Sequence, residues 1–212
     1  DISILLLLGA SRRAYEGRKH AEAQSWNWST NFLMGKQMSN KKLGILGMGR
    51  IGRAVAQRAR GFGMEIHYHN RNKLSSDLEL GAIYHKDAKS LFAESEFLSI
   101  NCPATAETTN LLNEETIKIL PDKAVVANAA RGDIIDDKAM IEAMKSGKIF
   151  ALGLDVYNGE PKINEEYLKL DNLFLLPHLG SSTKRTRIDM GDRAIDNLEV
   201  FCSGKKPKDQ VN

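Results

Sequence analysis

The sequence predicts a doubly wound, parallel α/β sheet, on three observations. From Lys42 onward short apolar runs alternate with amphipathic stretches, Gly and Asn mark the joints, and the first apolar run leads straight into a glycine pattern that opens a helix. Strands that alternate with helices need crossover connections, and crossovers cover both faces of a parallel sheet.

In order along the chain, Asp1 is placed to cap a helix that starts at Ile2 and runs through the leucines to about Glu22, turning polar after Arg12. A loop holding Trp26 and Trp28 follows. Residues 43–46 read as a strand, 51–62 as a helix and 64–69 as a strand; a short strand at 82–84, a helix at 88–94 and a strand at 97–101 continue the alternation. Asn113 begins a helical stretch, 124–129 is a buried strand, Asp136 caps a helix to Ser146, and 149–156 and 173–176 are the last strands. A long amphipathic stretch from Ser182 to Cys202 closes the chain, and is expected to pack on the opening helix or on a neighbour outside the chain.

Composition narrows the classes. At 212 residues the chain can enclose a full core. Lys and Arg total 30 against 27 Asp and Glu, an interspersed set with formal charge +3, and only Lys205, Lys206 and Lys208 cluster, so no nucleic-acid partner is expected. The apolar run 4–8 is too short to span a membrane, so no membrane partner is expected either. Cys102 and Cys202 lack metal spacing and cannot form a disulfide framework, which fits a cytoplasmic protein without a metal site. The chain opens on Asp1 rather than Met and enters a helix without lead-in, which reads as a piece of a longer protein.

The run Gly47-Met48-Gly49-Arg50-Ile51-Gly52 follows the first strand and opens a helix, the Rossmann arrangement for a dinucleotide. Gly47 would permit the tight turn, Gly49 the approach of backbone amides to a pyrophosphate, and Gly52 close packing of helix on strand. The helix N-terminus adds partial positive charge where the diphosphate would sit. At the end of the second strand, where a carboxylate would accept from a ribose 2′-hydroxyl, this chain has Asn70-Arg71. A neutral amide beside a guanidinium suits a 2′-phosphate, so NADP(H) is the expected cofactor and NAD(H) the second choice.

Three further side chains suit hydride transfer to a ketone. Arg131 follows the strand 124–129, Glu160 the strand 149–156, and His178 the strand 173–176, so all three belong to one rim of a parallel sheet. A guanidinium there can hold a carboxylate and polarise a carbonyl. An imidazolium can deliver the proton as hydride arrives, and a carboxylate beside it favours and orients the charged ring.

Residues 47–52, 128–133, 153–161 and 177–181 together resemble the D-2-hydroxyacid dehydrogenase family. Residues 67–71 and 187–191 look most like its bacterial glyoxylate/hydroxypyruvate reductase branch. The resemblance implies reduction of a small 2-keto acid to the D-2-hydroxy acid, with Arg131, Glu160 and His178 as the catalytic trio and Asp155 on the nicotinamide carboxamide. It also implies that Cys102, Pro103 and Thr108 lie near the adenosine half, and Ala129, Ala130 and Gly180 near the nicotinamide end. Ala129 departs from the hydroxyl residue common there. On the same likeness residues 1–24 are a linker and dimer-arm helix, 25–181 the dinucleotide-binding domain and 182–212 a helix returning toward a substrate domain that precedes this chain, and a homodimer is expected. Two other readings stay open: a dinucleotide-sensing, corepressor-type binding protein, and a dehydrogenase for another 2-hydroxy acid such as 3-phosphoglycerate.

Overall fold

A computed structural model describes residues 1–211, so Asn212, the end of the segment expected to return toward a substrate domain, lies outside the described residues. The elements are α1 (Ile2–Ser11), α2 (Ala14–Glu22), β1 (Lys42–Leu46), α3 (Arg50–Arg60), β2 (Glu65–His69), α4 (Ser76–Glu79), β3 (Ile83–His85), α5 (Ala88–Ala93), β4 (Phe97–Ile100), α6 (Glu114–Ile119), β5 (Ala124–Asn128), α7 (Asp137–Lys145), β6 (Ile149–Leu154), β7 (Leu173–Leu175) and α8 (Lys184–Cys202). The seven strands form one sheet in the order β3-β2-β1-β4-β5-β6-β7, and every neighbouring pair is parallel. The expected doubly wound sheet is therefore present, and its order reverses between β1 and β4.

Side chains of a strand alternate between faces, and here both faces are covered, so the central strands are mostly apolar on both. Leu43 and Ile45 of β1, with Val125 and Ala127 of β5, join one core with Leu6 and Leu7 of α1 and Val55, Ala56 and Ala59 of α3. Leu46 and Val126 point the other way, into a core with Leu91 and Phe92 of α5, Ile117 of α6 and Met140, Ile141 and Met144 of α7. Asn113 caps α6 through a reciprocal pair with Thr116, and Asp136 caps α7 by accepting from the Ala139 amide.

The opening segment differs from its expectation. It is two helices, because Arg13 adopts a left-handed conformation (φ 53°) and its guanidinium pairs with Glu16 at the start of α2. Asp1 does precede α1 but makes no side-chain cap; its carboxylate instead accepts from Arg58 Nε at 2.7 Å. Leu6 and Leu7 are completely buried, which seats α1 in the same compact unit as the sheet.

That unit runs from Asp1 to His178, and a second begins at Leu179. The second contains α8, capped by Thr183, which accepts from the Thr186 amide; no residue of α8 is buried, and Ile188, Met190, Ile195, Leu198 and Phe201 are exposed. No helix among the described residues is long and apolar enough to cross a membrane.

Candidate active site

Because all strands are parallel, the carboxyl ends of β1, β2, β4, β5, β6 and β7 share one edge of the sheet. The reversal of strand order between β1 and β4 opens a crevice at that edge, the position at which sheets of this type bind ligands.

The glycine run sits at the crevice. Gly47 turns the chain at φ 96°, and a Cβ there would lie 2.5 Å from the Cys102 amide nitrogen, so the turn and the start of the loop after β4 approach as only glycine allows. A Cβ on Gly52 would meet the Gly47 carbonyl oxygen at 2.2 Å, the close helix-on-turn packing expected. A Cβ on Gly49 would meet nothing within 4 Å, and α3 starts there without a side-chain cap. The first amides of α3 have no partner within the helix, no side chain caps them, and Ile51 is exposed. This arrangement fits the diphosphate of a dinucleotide.

Asn70 directly follows β2, and its Oδ1 accepts from the Met48 amide at 2.6 Å. The Asn70 carboxamide therefore latches the glycine loop, and its NH₂ end is left to donate to a ligand. Arg71 is exposed, and its charge contributes to holding the Glu107 carboxyl below the usual carboxylate range, after the larger effect of Thr105. Thr108 ties its own loop, donating to the Pro103 carbonyl at 2.8 Å and accepting from the Thr105 amide at 2.8 Å. Burial pushes the Cys102 thiol up to about 11, which leaves it without thiolate chemistry near neutral pH.

On the other side of the crevice, His178 Nδ1 and Glu160 Oε2 are 2.7 Å apart. The second carboxylate oxygen of Glu160 accepts from the Tyr157 amide at 2.9 Å. The hydrogen bond from His178 holds the Glu160 carboxyl below its ordinary range, against the opposing effect of burial, and the charges of His178 and Arg131 add to the depression. Arg131 thus lies within electrostatic reach of the pair. His178 itself sits in the left-handed region at φ 55°. Asp155 is buried at the end of β6, and its amide donates to the Asn128 carbonyl at 3.0 Å. Ala129 and Ala130 occupy the turn between β5 and Arg131, and Gly180 falls in the unit that begins at Leu179.

Depression of Glu160 has a defined pH signature. The favourable contribution of the pair is fully present above the unfolded carboxylate range and is lost as pH falls through the lower, folded value. In carboxyl ¹³C spectra Glu160 should titrate below exposed glutamates, and His178→Ala should raise its midpoint. A midpoint indifferent to that substitution would mean the contact is not made in solution.

The sequence reading passed over the groups that hold these side chains. Tyr157 donates its phenol to the Leu176 carbonyl at 2.7 Å, tying the loop that carries Glu160 to the segment that carries His178. Asn158 Nδ2 donates to the Ile135 carbonyl at 3.2 Å, tying the same loop to the region after Arg131. Asn128 is wholly buried with both ends of its amide bonded. A polar residue ending an otherwise apolar strand was the available signal for Asn128, since a buried amide must find partners.

Fold and crevice together define a dinucleotide-binding α/β domain. Residues 4–180 match the family model described as D-isomer specific 2-hydroxyacid dehydrogenase, NAD binding domain, and the chain belongs to that family. It is 44% identical over 207 residues to a glycerate dehydrogenase of Hyphomicrobium methylovorum, covering 96% of this chain and 64% of the relative. It is 39% identical over 218 residues to a glyoxylate reductase of Thermococcus litoralis, covering 100% of this chain and 66% of the relative. The chain thus spans just under two thirds of the length of these curated relatives. Among solved structures, a glyoxylate reductase from Paecilomyes thermophila superposes with TM-score 0.93 at 40% identity, over 100% of this chain and 63% of that one. An NADPH-dependent glyoxylate/hydroxypyruvate reductase from Sinorhizobium meliloti, in complex with NADP and malonate, superposes with TM-score 0.87 at 32% identity, over 95% of this chain and 62% of that one.

Proposed function

We propose that the full-length protein reduces a small 2-keto acid, glyoxylate or hydroxypyruvate, to the D-2-hydroxy acid, with NADP(H) preferred over NAD(H). The observation that carries this reading is the Glu160–His178 contact at the sheet edge that also bears Arg131 and the glycine run. The names of the relatives point to the same chemistry.

A nicotinamide dinucleotide, when bound, supplies the hydride in reduction and accepts it in oxidation. His178 Nδ1 is engaged by Glu160, so Nε2 is the ring nitrogen available to substrate. As the carbonyl carbon gains hydride, the C=O π pair moves to oxygen, and oxygen takes the proton from Nε2. The ring is left neutral with its Nδ1–H on Glu160, and oxidation reverses each transfer. Arg131 would bind the substrate carboxylate and polarise the carbonyl. Asp155, with Ala129 and Ala130, is proposed to border the nicotinamide, and Cys102, Pro103 and Thr108 the adenosine. The exposed Trp26 and Trp28, the latter 97% accessible, support a contact between two copies of the full-length protein. Two unpaired thiols, Cys102 and Cys202, support a cytoplasmic setting.

Purified full-length protein should oxidise NADPH with glyoxylate or hydroxypyruvate and yield the D product on chiral separation. No turnover with any member of a 2-keto acid panel would overturn the reading, and turnover only of 3-phosphoglycerate, assayed in the oxidative direction with NADP⁺ or NAD⁺, would reassign the substrate.

Cofactor choice is separately testable. With Oδ1 on Met48, Asn70 presents donors, and a phosphate offers only acceptors. Asn70→Asp keeps the acceptor for Met48, removes the donors and adds a charge. Hydrogen bonds to charged groups contribute about 1.5–3 kcal/mol, so the NADPH-to-NADH preference should fall by about 10- to 100-fold. An unchanged ratio of kcat/KM for the two cofactors would remove Asn70 from the selectivity argument.

A further inference from the structure

We propose that Asn128 is a positioning residue for Arg131, holding the turn from which the guanidinium reaches substrate. The inference rests on the substrate-binding role given to Arg131 above.

Asn128 is the last residue of β5, behind the apolar run Ala124-Val125-Val126-Ala127, and is fully buried. A buried carboxamide is costly unless both ends are bonded. Its Nδ2 donates to the Arg131 carbonyl at 2.8 Å and its Oδ1 accepts from the Ala130 amide at 3.0 Å. Both bonds fall on the three residues that immediately follow, closing the chain into a small ring as it leaves the strand. The Asn128 carbonyl accepts from the Asp155 amide at 3.0 Å, so the ring is anchored to the end of β6 as well.

Arg131 has little else to fix it. Its guanidinium bonds to the carbonyl of its neighbour Ala130 through Nη1 at 2.6 Å, and no ion pair within 4.0 Å holds it among the described residues. The place from which this exposed side chain extends is therefore set by its backbone. An apolar residue at position 128 would suit the core around it. The amide instead supplies a donor and an acceptor at the spacing the turn needs.

The test uses full-length protein and the variants Asn128→Ala, Asn128→Asp and Arg131→Ala, singly and combined. Asn128→Asp keeps the acceptor for Ala130 but sets a carboxylate oxygen against the Arg131 carbonyl, and it preserves volume should the alanine variant fail to fold. Each Asn128 variant should raise KM for the keto acid and lower kcat/KM by about 10- to 100-fold, the scale for misplacing a reacting group. NADPH affinity, read by fluorescence, should fall by much less than kcat/KM, because the glycine run that would hold the diphosphate is untouched; an equal fall in both would overturn the proposal. In the Arg131→Ala background, Asn128→Ala should cost nothing further, because the group it positions is gone. Losses that multiply would overturn the proposal.

Amide exchange gives a readout independent of turnover: the Ala130 amide should exchange slowly in wild type and quickly in Asn128→Ala. Fast exchange in wild type would overturn the proposal even if the enzyme is active. A wild type that turns over no 2-keto acid yet protects Ala130 would sink the reaction assigned above while supporting the hold on the turn.

Discussion

Replacing His178 by alanine in the full-length protein is expected to lower kcat by about 10²- to 10⁴-fold, the usual share of a positioned general acid. The expectation follows from the ring's two ends. Nδ1 is committed to Glu160 at 2.7 Å, and Glu160 is itself held by the Tyr157 amide, so the ring is oriented with Nε2 left for substrate. Stability should change little: the histidine side chain is half exposed, and exposed ion pairs contribute about 0–1 kcal/mol. NADPH affinity should be retained, since the glycine run lies across the crevice. Steady-state rates beside a thermal melt separate these effects, and a kcat within a few-fold of wild type would mean that the proton has another source. Glu160→Gln should fall between the two, because the amide can still orient the ring but no longer carries charge.

Gly132→Ala is expected to be the most damaging small substitution near the site. A Cβ at this position would lie 2.1 Å from the Tyr157 carbonyl carbon, 2.3 Å from its oxygen and 2.4 Å from the Asn158 nitrogen. Carbon contacts settle near about 3.5–4.0 Å, and these neighbours are backbone, which cannot rotate aside. One of two segments must therefore move by about an ångström, a displacement that can cost about 10²-fold when it reaches reacting groups. Both segments matter, since Arg131 adjoins Gly132 and the Tyr157 amide holds Glu160. Overpacking should also lower stability by about 1–3 kcal/mol. The diagnostic result is a kcat/KM loss much larger than the shift in melting temperature, with KM for the keto acid raised. Unchanged kinetics would show that the two loops are not coupled through this contact.

The sheet was legible in sequence because its helices cover both faces, which turns the central strands into short, largely apolar runs between recognisable caps such as Asn113 and Asp136. The parallel topology also made the rim legible, since any residue just past a strand belongs to the same edge. The break between α1 and α2 was not, because no Gly or Pro marks it; a left-handed arginine paired with Glu16 does. The position of Asn70 could be read, whereas the commitment of its oxygen to Met48 depends on a contact 22 residues away. Tyr157 stayed hidden for a different reason: it holds Glu160 by its backbone amide, and every residue except proline carries one.

His178 combines its imidazole with a backbone setting that disfavours side chains. Non-glycine residues in the left-handed region cost of order 1–3 kcal/mol, and glycine would relieve that cost. Heat-resistant variants chosen without regard to turnover would therefore drift toward glycine at position 178, gaining robustness as they shed the proton donor. Ancestral or consensus redesign of this domain should hold that one histidine invariant, because there durability and chemistry pull against each other.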